Sequence, residues 1–260
     1  MPSIPVADAT VHYEVEGAGP GLVLVHGTQG DAESNWGHLV ERFSADRTVI
    51  RPDLSGSGKT VDQGGELTVD LLAGQVAAVA GAAAGGEPVD VVGFSLGAVV
   101  AAATGALHPA LVRRLVLVAG WAHTGDARQR LMFELWRDLD RADFQLFNRL
   151  AVLSGFSPAF LETIGADGIR AAVATGAREP GIDRQIDLDL RVDIRDLLPR
   201  ITAPTLVIGL AQDQMIPAFG PTDLHERIPG SRYSEIDSGH LVLFERPDDL
   251  VEAVKDFVAD

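Results

Sequence analysis

The stretch Val89-Asp90-Val91-Val92-Gly93-Phe94-Ser95-Leu96-Gly97-Ala98-Val99-Val100 decides how the chain is read. A short valine-rich run comes first, then a serine bracketed by glycines, then an Ala-rich segment continuing to Leu107. The run 89–92 predicts a strand buried on both faces, and 96–107 predicts a helix. Between them, Gly93-Phe94-Ser95-Leu96-Gly97 matches G-x-S-x-G in the strand–turn–helix setting that gives this pattern its chemistry. The glycines let the backbone turn sharply enough to hold Ser95 in a strained conformation, with its hydroxyl raised above the sheet. Setting matters here. Gly155-Phe156-Ser157-Pro158-Ala159 has nearly the same letters, but no strand precedes it and a proline follows the serine, so it is not a second such turn.

Outward from this point, two kinds of segment alternate. Runs rich in Val, Ile and Leu predict strands at 11–15, 22–25, 48–51, 89–92, 115–118, 205–208 and 232–236. Helical spacing occupies 33–43, 67–84, 96–107 and 247–258. This rhythm predicts an α/β fold whose mostly parallel sheet is flanked by helices. It stops between residues 121 and 200, where amphipathic helical segments are expected at 127–139, 144–153, 158–164 and 168–175. The division expected is a core of residues 1–120 and 201–260 with a helical cap, 121–200, inserted into it. Five of the ten Phe (133, 144, 147, 156, 160) and two of the three Trp (121, 136) fall in that insertion. Most should pack helix on helix, while Trp121, Phe133, Trp136 and Phe147 are candidates to line an apolar substrate pocket. The acidic run 183–196 alternates with Ile, Leu and Arg and reads as a solvated helix or loop.

Composition excludes several functions. The 260 residues include no cysteine, which removes disulfides, thiolate metal sites and a cysteine nucleophile. Twenty-one Lys and Arg against 37 Asp and Glu give a net charge of −16, which repels nucleic-acid backbones and anionic membrane surfaces. No nucleic-acid or membrane partner is therefore expected. Met1-Pro2-Ser3-Ile4-Pro5-Val6 lacks the basic and apolar regions of a secretory signal, so a cytoplasmic location is expected. Gly56-Ser57-Gly58-Lys59-Thr60 ends like a phosphate-binding loop, but Asp53 stands where that loop needs its first glycine. No metal-ligand cluster is visible, and no metal or cofactor is expected.

A serine hydroxyl needs a base, and the base needs an orienting acid. Among seven histidines, His240 follows the last predicted strand, in Asp237-Ser238-Gly239-His240. His123 is a minor candidate, and His12, His38, His108 and His225 suit structural or solvated roles. Asp213 lies in the loop directly after the strand 205–208 and is preferred to Asp237, which would have to reach His240 within one turn. Donors for an oxyanion would be the backbone N–H of Leu96, at the start of a helix, and that of Thr28, in Val25-His26-Gly27-Thr28-Gln29-Gly30. His26 itself reads as structural.

His26-Gly27, Pro52-Asp53 with its glycine-rich turn, Gly93-x-Ser95-x-Gly97, Asp213 with Pro217, and Gly239-His240 together resemble the α/β-hydrolase fold superfamily. The resemblance runs from about residue 11 to 258. It implies an eight-stranded, mostly parallel sheet, Ser95 as nucleophile, His240 as base, Asp213 as acid, and an oxyanion hole from Thr28 and Leu96. Relatives that open epoxides or remove halide have an Asp at the nucleophile position, so the serine implies acyl transfer. The expected function is hydrolysis of a small, partly apolar ester, lactone or thioester through an acyl-enzyme. Alternatives are a lyase, acyl-transfer, perhydrolase or C–C hydrolase reaction by the same triad, and a non-catalytic binding member of the fold. The expected partner is a small-molecule substrate, and monomer and homodimer both remain open.

Overall fold

The computed structural model describes residues 2–259. Eight strands form one sheet: β1 (Ser3–Val6), β2 (Ala9–Glu16), β3 (Gly21–Val25), β4 (Thr48–Pro52), β5 (Val89–Phe94), β6 (Val112–Val118), β7 (Thr205–Leu210) and β8 (Arg232–Ile236). Their order is β1-β2-β4-β3-β5-β6-β7-β8, antiparallel at β1/β2 and β2/β4 and parallel from β4 to β8. The seven expected strands are all present. The eighth, β1, was not anticipated because Ser-Ile-Pro-Val is short, carries a proline and pairs only with the neighbouring hairpin strand.

The sheet is sealed on both faces, as its apolar runs require. Leu22 and Leu24 point into one cluster, while Val23 and Val25 point into the other, following the two-residue period of a strand. Helices α1 (Ala32–Trp36), α2 (Val40–Ser44), α3 (Val69–Ala83) and α4 (Leu96–Leu107) follow the first strands. The expected helix at 33–43 is broken by a 3-10 turn at Gly37–Leu39. Residues 96–106 of α4 are all buried, and its small side chains let it lie close on the sheet. Gly97 is required for that approach, since a Cβ there would stand 2.4 Å from the Val25 carbonyl oxygen.

Strand β3 crosses over to β4 on one side, whereas β5 crosses to β6 on the other. The loops leaving β3 and β5 therefore diverge, and the crevice between them lies at the carboxyl edge of the sheet. Four helices fill the interval between β6 and β7: α5 (Ala127–Ala142), α6 (Phe144–Gly155), α7 (Pro158–Thr175) and α8 (Ile182–Asp189). The chain enters and leaves this insertion side by side, Thr124 N–H bonding the Val192 carbonyl and Ile194 N–H the Ala122 carbonyl. Helix α7 breaks at Gly165, whose φ of 63° is left-handed, so the two segments expected there are its two halves. Helix α8 corrects the reading of residues 183–196 as solvated: Ile182, Gln185, Ile186, Leu188 and Asp189 are buried. The remaining helices are α9 (Phe219–Arg227), α10 (Val242–Glu245) and α11 (Pro247–Ala259). No helix among the described residues is long and apolar enough to cross a membrane.

Candidate active site

The turn after β5 places Ser95 at φ 56°, ψ −122°, a strained conformation for a residue with a side chain. The flanking glycines make it possible: a Cβ on Gly93 would stand 2.1 Å from the Gly97 carbonyl oxygen. Ser95 N–H bonds the Val118 carbonyl at 2.9 Å, which ties the turn to the neighbouring strand β6. His240 comes from the loop after β8 and Asp213 from the loop after β7. The structure brings all three side chains together. Ser95 Oγ is 3.0 Å from His240 Nε2, and His240 Nδ1 is 2.6 Å from Asp213 Oδ2. A carboxylate only accepts, so Nδ1 carries the proton and Nε2 is free to accept from the serine hydroxyl.

Each member is held by its own supports. Asp213 Oδ1 accepts the N–H groups of Met215 and Ile216, both at 2.8 Å, which leaves Oδ2 for the imidazole. Glu245 Oε2 accepts Gly239 N–H at 3.2 Å and Ser157 N–H at 2.9 Å, while Leu241 N–H bonds the Gly155 carbonyl. The histidine loop is thus fastened to the join between α6 and α7. The look-alike Gly155-Phe156-Ser157 has that role, and Ser157 also caps α7. Asp237, the rival acid, instead accepts from Gln212 on the surface. His123 lies beside Asp223 and Phe219 in a separate cleft. His12 is bonded to Asp53 at 2.8 Å, and His38 Nε2 to the Leu243 carbonyl.

The loop after β3 carries Thr28. No acceptor among the described residues takes its N–H. The Leu96 N–H, at the first position of α4, has no intrahelical acceptor either and stands at the positive end of the helix dipole. Gly27 C=O, across the peptide bond from the Thr28 N–H, accepts from His26 Nδ1 at 2.9 Å and from Gly30 N–H at 3.1 Å. His26 Nε2 in turn accepts Leu54 N–H, so the ring is neutral and burial holds its pKa below the usual value.

A cavity of about 510 Å³ opens over Ser95 and His240. Its apolar lining includes Phe94, Trp136, Val152, Met215, Leu241 and Phe244. Of the four aromatics expected in a pocket, only Trp136 lines it. Trp121, Phe133 and Phe147 are each 1% exposed and pack along the line Trp121–Phe133–Trp136–Phe147, tilted at the first pair and edge against face at the next two, with centroids 5.4–5.7 Å apart. They bury one side of α5 and α6, so they support the wall instead of forming it. Asp31 and Glu179 are the acidic side chains of the lining, and no Lys or Arg joins them. Burial pushes the Glu179 carboxyl up, helped by the nearby charges of Asp31 and Asp53 and opposed by the Gly58 N–H. A larger cleft of about 580 Å³, beside Arg137 and Arg191, contains none of these residues.

Two buried polar side chains near the Thr28 loop were not anticipated. Gln185 Oε1 accepts Gln29 N–H at 3.1 Å, and Asp189 Oδ2 accepts the Thr28 hydroxyl at 2.8 Å. A signal existed: Ile182, Gln185, Ile186 and Asp189 occupy i, i+3, i+4 and i+7, the buried stripe of one helix.

An eight-stranded α/β sheet with a strained serine, a histidine and a carboxylate at its carboxyl edge defines the hydrolase class of this architecture. A family model described as alpha/beta hydrolase fold matches residues 20–247, and the chain belongs to that family. It is 44% identical over 261 residues to pyrrolizixenacetamide deacetylase of Xenorhabdus hominickii, covering 99% of this chain and 98% of that protein. It is 29% identical to the pimeloyl-[acyl-carrier protein] methyl ester esterase of Xanthomonas campestris pv. campestris, over 96% of this chain and 99% of that one. Among solved structures, the enol-lactonase from Burkholderia xenovorans LB400 superposes with a TM-score of 0.86 at 23% identity over the full length of both chains.

Proposed function

We propose that the chain is a serine hydrolase that transfers an acyl group, through Ser95, from a small, partly apolar ester or amide to water. The observation that carries this is the unbroken relay Ser95 Oγ–His240 Nε2 and His240 Nδ1–Asp213 Oδ2, beside an open cavity. His240 Nε2 takes the hydroxyl proton as Ser95 Oγ attacks the substrate carbonyl, and Asp213 stabilises the imidazolium that forms. The oxyanion is met by the N–H groups of Thr28 and Leu96. The intermediate collapses as His240 gives its proton to the departing alcohol or amine. Water, deprotonated by the same histidine, then releases the acid and restores the serine.

The relative named a deacetylase supports a short acyl group such as acetyl, and an amine as one leaving group. Cavity charge supports a further restriction. With Asp31 and Glu179 in the wall and no cation to offset them, a carboxylate-bearing substrate meets repulsion on entry. The test is a turnover panel of matched acetyl esters and acetamides, uncharged and carboxylate-bearing, on wild type and Ser95→Ala. Uncharged members should be turned over by wild type and by no Ser95→Ala protein. Undiminished turnover in the variant would refute the assignment.

A further inference from the structure

We propose that Gln185 and Asp189 on α8 are positioning residues that aim the Thr28 N–H at the reacting carbonyl, so that the inserted helices complete an oxyanion site begun by the strands. The proposal rests on the acyl-transfer reading above and adds to it residues outside the triad. A peptide N–H points where its own carbonyl end and the next peptide let it point. The carbonyl end is held from within the strand-bearing part, through His26 and Gly30 on the Gly27 oxygen. Among the described residues, the following peptide and the Thr28 side chain are held from the inserted helices: Gln185 on α8 accepts Gln29 N–H, Asp189 on α8 accepts the Thr28 hydroxyl, and the Gln29 side chain donates to Asn148 Oδ1 on α6 at 3.0 Å. Gln29 has φ 63°, a left-handed conformation that a residue with a Cβ keeps only when its surroundings over-determine it.

The holding side chains are themselves fixed. Gln185 and Asp189 are four residues apart on one face of α8, and both are fully buried. The Gln185 amide nitrogen donates to Ser57 Oγ at 2.8 Å, which turns its oxygen toward the loop. The main-chain oxygen of Asp189 accepts the Thr124 hydroxyl at 2.6 Å, and Thr124 in turn receives the Trp121 indole N–H. Among the described residues, Asp189 Oδ1 has no partner and no cation is bonded to the carboxyl. Burial pushes its pKa up to about 8, against the Thr28 hydrogen bond, so near neutral pH the group is uncharged. An uncharged acid holds the loop without setting a negative charge behind the developing oxyanion.

Steady-state kinetics with p-nitrophenyl acetate test the proposal, each variant assayed well below its melting temperature. Gln185→Ala and Asp189→Ala should each lower kcat roughly 10- to 100-fold with KM within about two-fold of wild type, because a misaimed donor is lost in the transition state. Asp189→Asn, an uncharged isostere that still accepts from Thr28, should recover most of kcat. Thr28→Val removes only the hydroxyl and should lower kcat by a similar factor, with no further loss when combined with Asp189→Ala. If Asp189→Ala fails to fold, Thr28→Val and Asp189→Asn carry the test. Wild-type kcat in Gln185→Ala and Thr28→Val, a loss confined to KM, or no recovery in Asp189→Asn would overturn the proposal. A wild-type protein that neither turns over the ester nor reacts at Ser95 would strike the acyl-transfer reading beneath it.

Discussion

Strand β5 and helix α8 are both buried and both lead to the cavity, but they differ in what they bury. All six residues of β5 are buried, and its one charged member, Asp90, sits at the far end from Ser95 and is paired with Arg47 at 2.8 Å. Helix α8 buries two isoleucines and a leucine, and with them an amide and a carboxyl aimed at the Thr28 loop. The strand presents Ser95, the proposed nucleophile, on a fully buried base. The helix uses polar side chains, desolvated and individually satisfied except at Asp189 Oδ1, to hold something else in place. On the proposed reading, chemistry is rooted in the sheet and part of its alignment comes from the inserted helices.

The largest effect is expected on the sheet side. Asp213→Asn should cut kcat roughly 10⁴-fold, because an amide can stabilise the wrong imidazole tautomer, while the melting temperature changes little. Steady-state kinetics beside a thermal melt would show both; a loss of less than ten-fold would mean that Asp213 does not orient His240. On the insertion side, Phe133→Ala should destabilise the protein by about 3–5 kcal/mol through the cavity it leaves between Trp121 and Trp136. Urea unfolding measures this. Turnover per folded molecule should change little, and a large loss of kcat in fully folded protein would put Phe133 back among substrate-contacting residues.

A third test separates burial from charge. Asp189 stays protonated in the native chain up to about pH 8, whereas the unfolded chain ionises it around the ordinary value of 3.8. Between these values unfolding releases a proton, so the native state loses ground as pH rises. Asp189→Asn removes that penalty. Its stability relative to wild type should improve from pH 4 toward pH 8, by on the order of a few kcal/mol in denaturant titrations across that range. A stability difference independent of pH would mean that Asp189 is ionised in the folded protein.

The same contrast explains what the sequence discloses. Strand β5 is legible because valines stand on both of its faces and a patterned turn follows it. The loops bearing Asp213 and His240 are legible because they come directly after strands 205–208 and 232–236. Chain order and parallel topology are enough to bring such loops to one edge. Helix α8 is not legible in the same way. Asp183, Asp187 and Asp189 look alike in composition, and only the stripe phase set by Ile182 and Ile186 separates the buried acid from the two half-buried ones. The aromatics of α5 and α6 mislead for a related reason. Helical spacing places Phe133, Trp136 and Phe147 on buried faces, but a helix buries its aromatics against other helices as readily as it lines a cavity with them. Glu245, which ties the histidine loop to the α6–α7 join, has no local pattern to mark it.

Ser95 is proposed above as a nucleophile poised by His240. A fluorophosphonate offered to the folded protein, followed by peptide mapping, tests it most directly. Modification at Ser95 should be stoichiometric, abolished in Ser95→Ala and strongly slowed in His240→Ala. An unmodified Ser95 in folded wild-type protein, or modification that His240→Ala leaves at full rate, would contradict it.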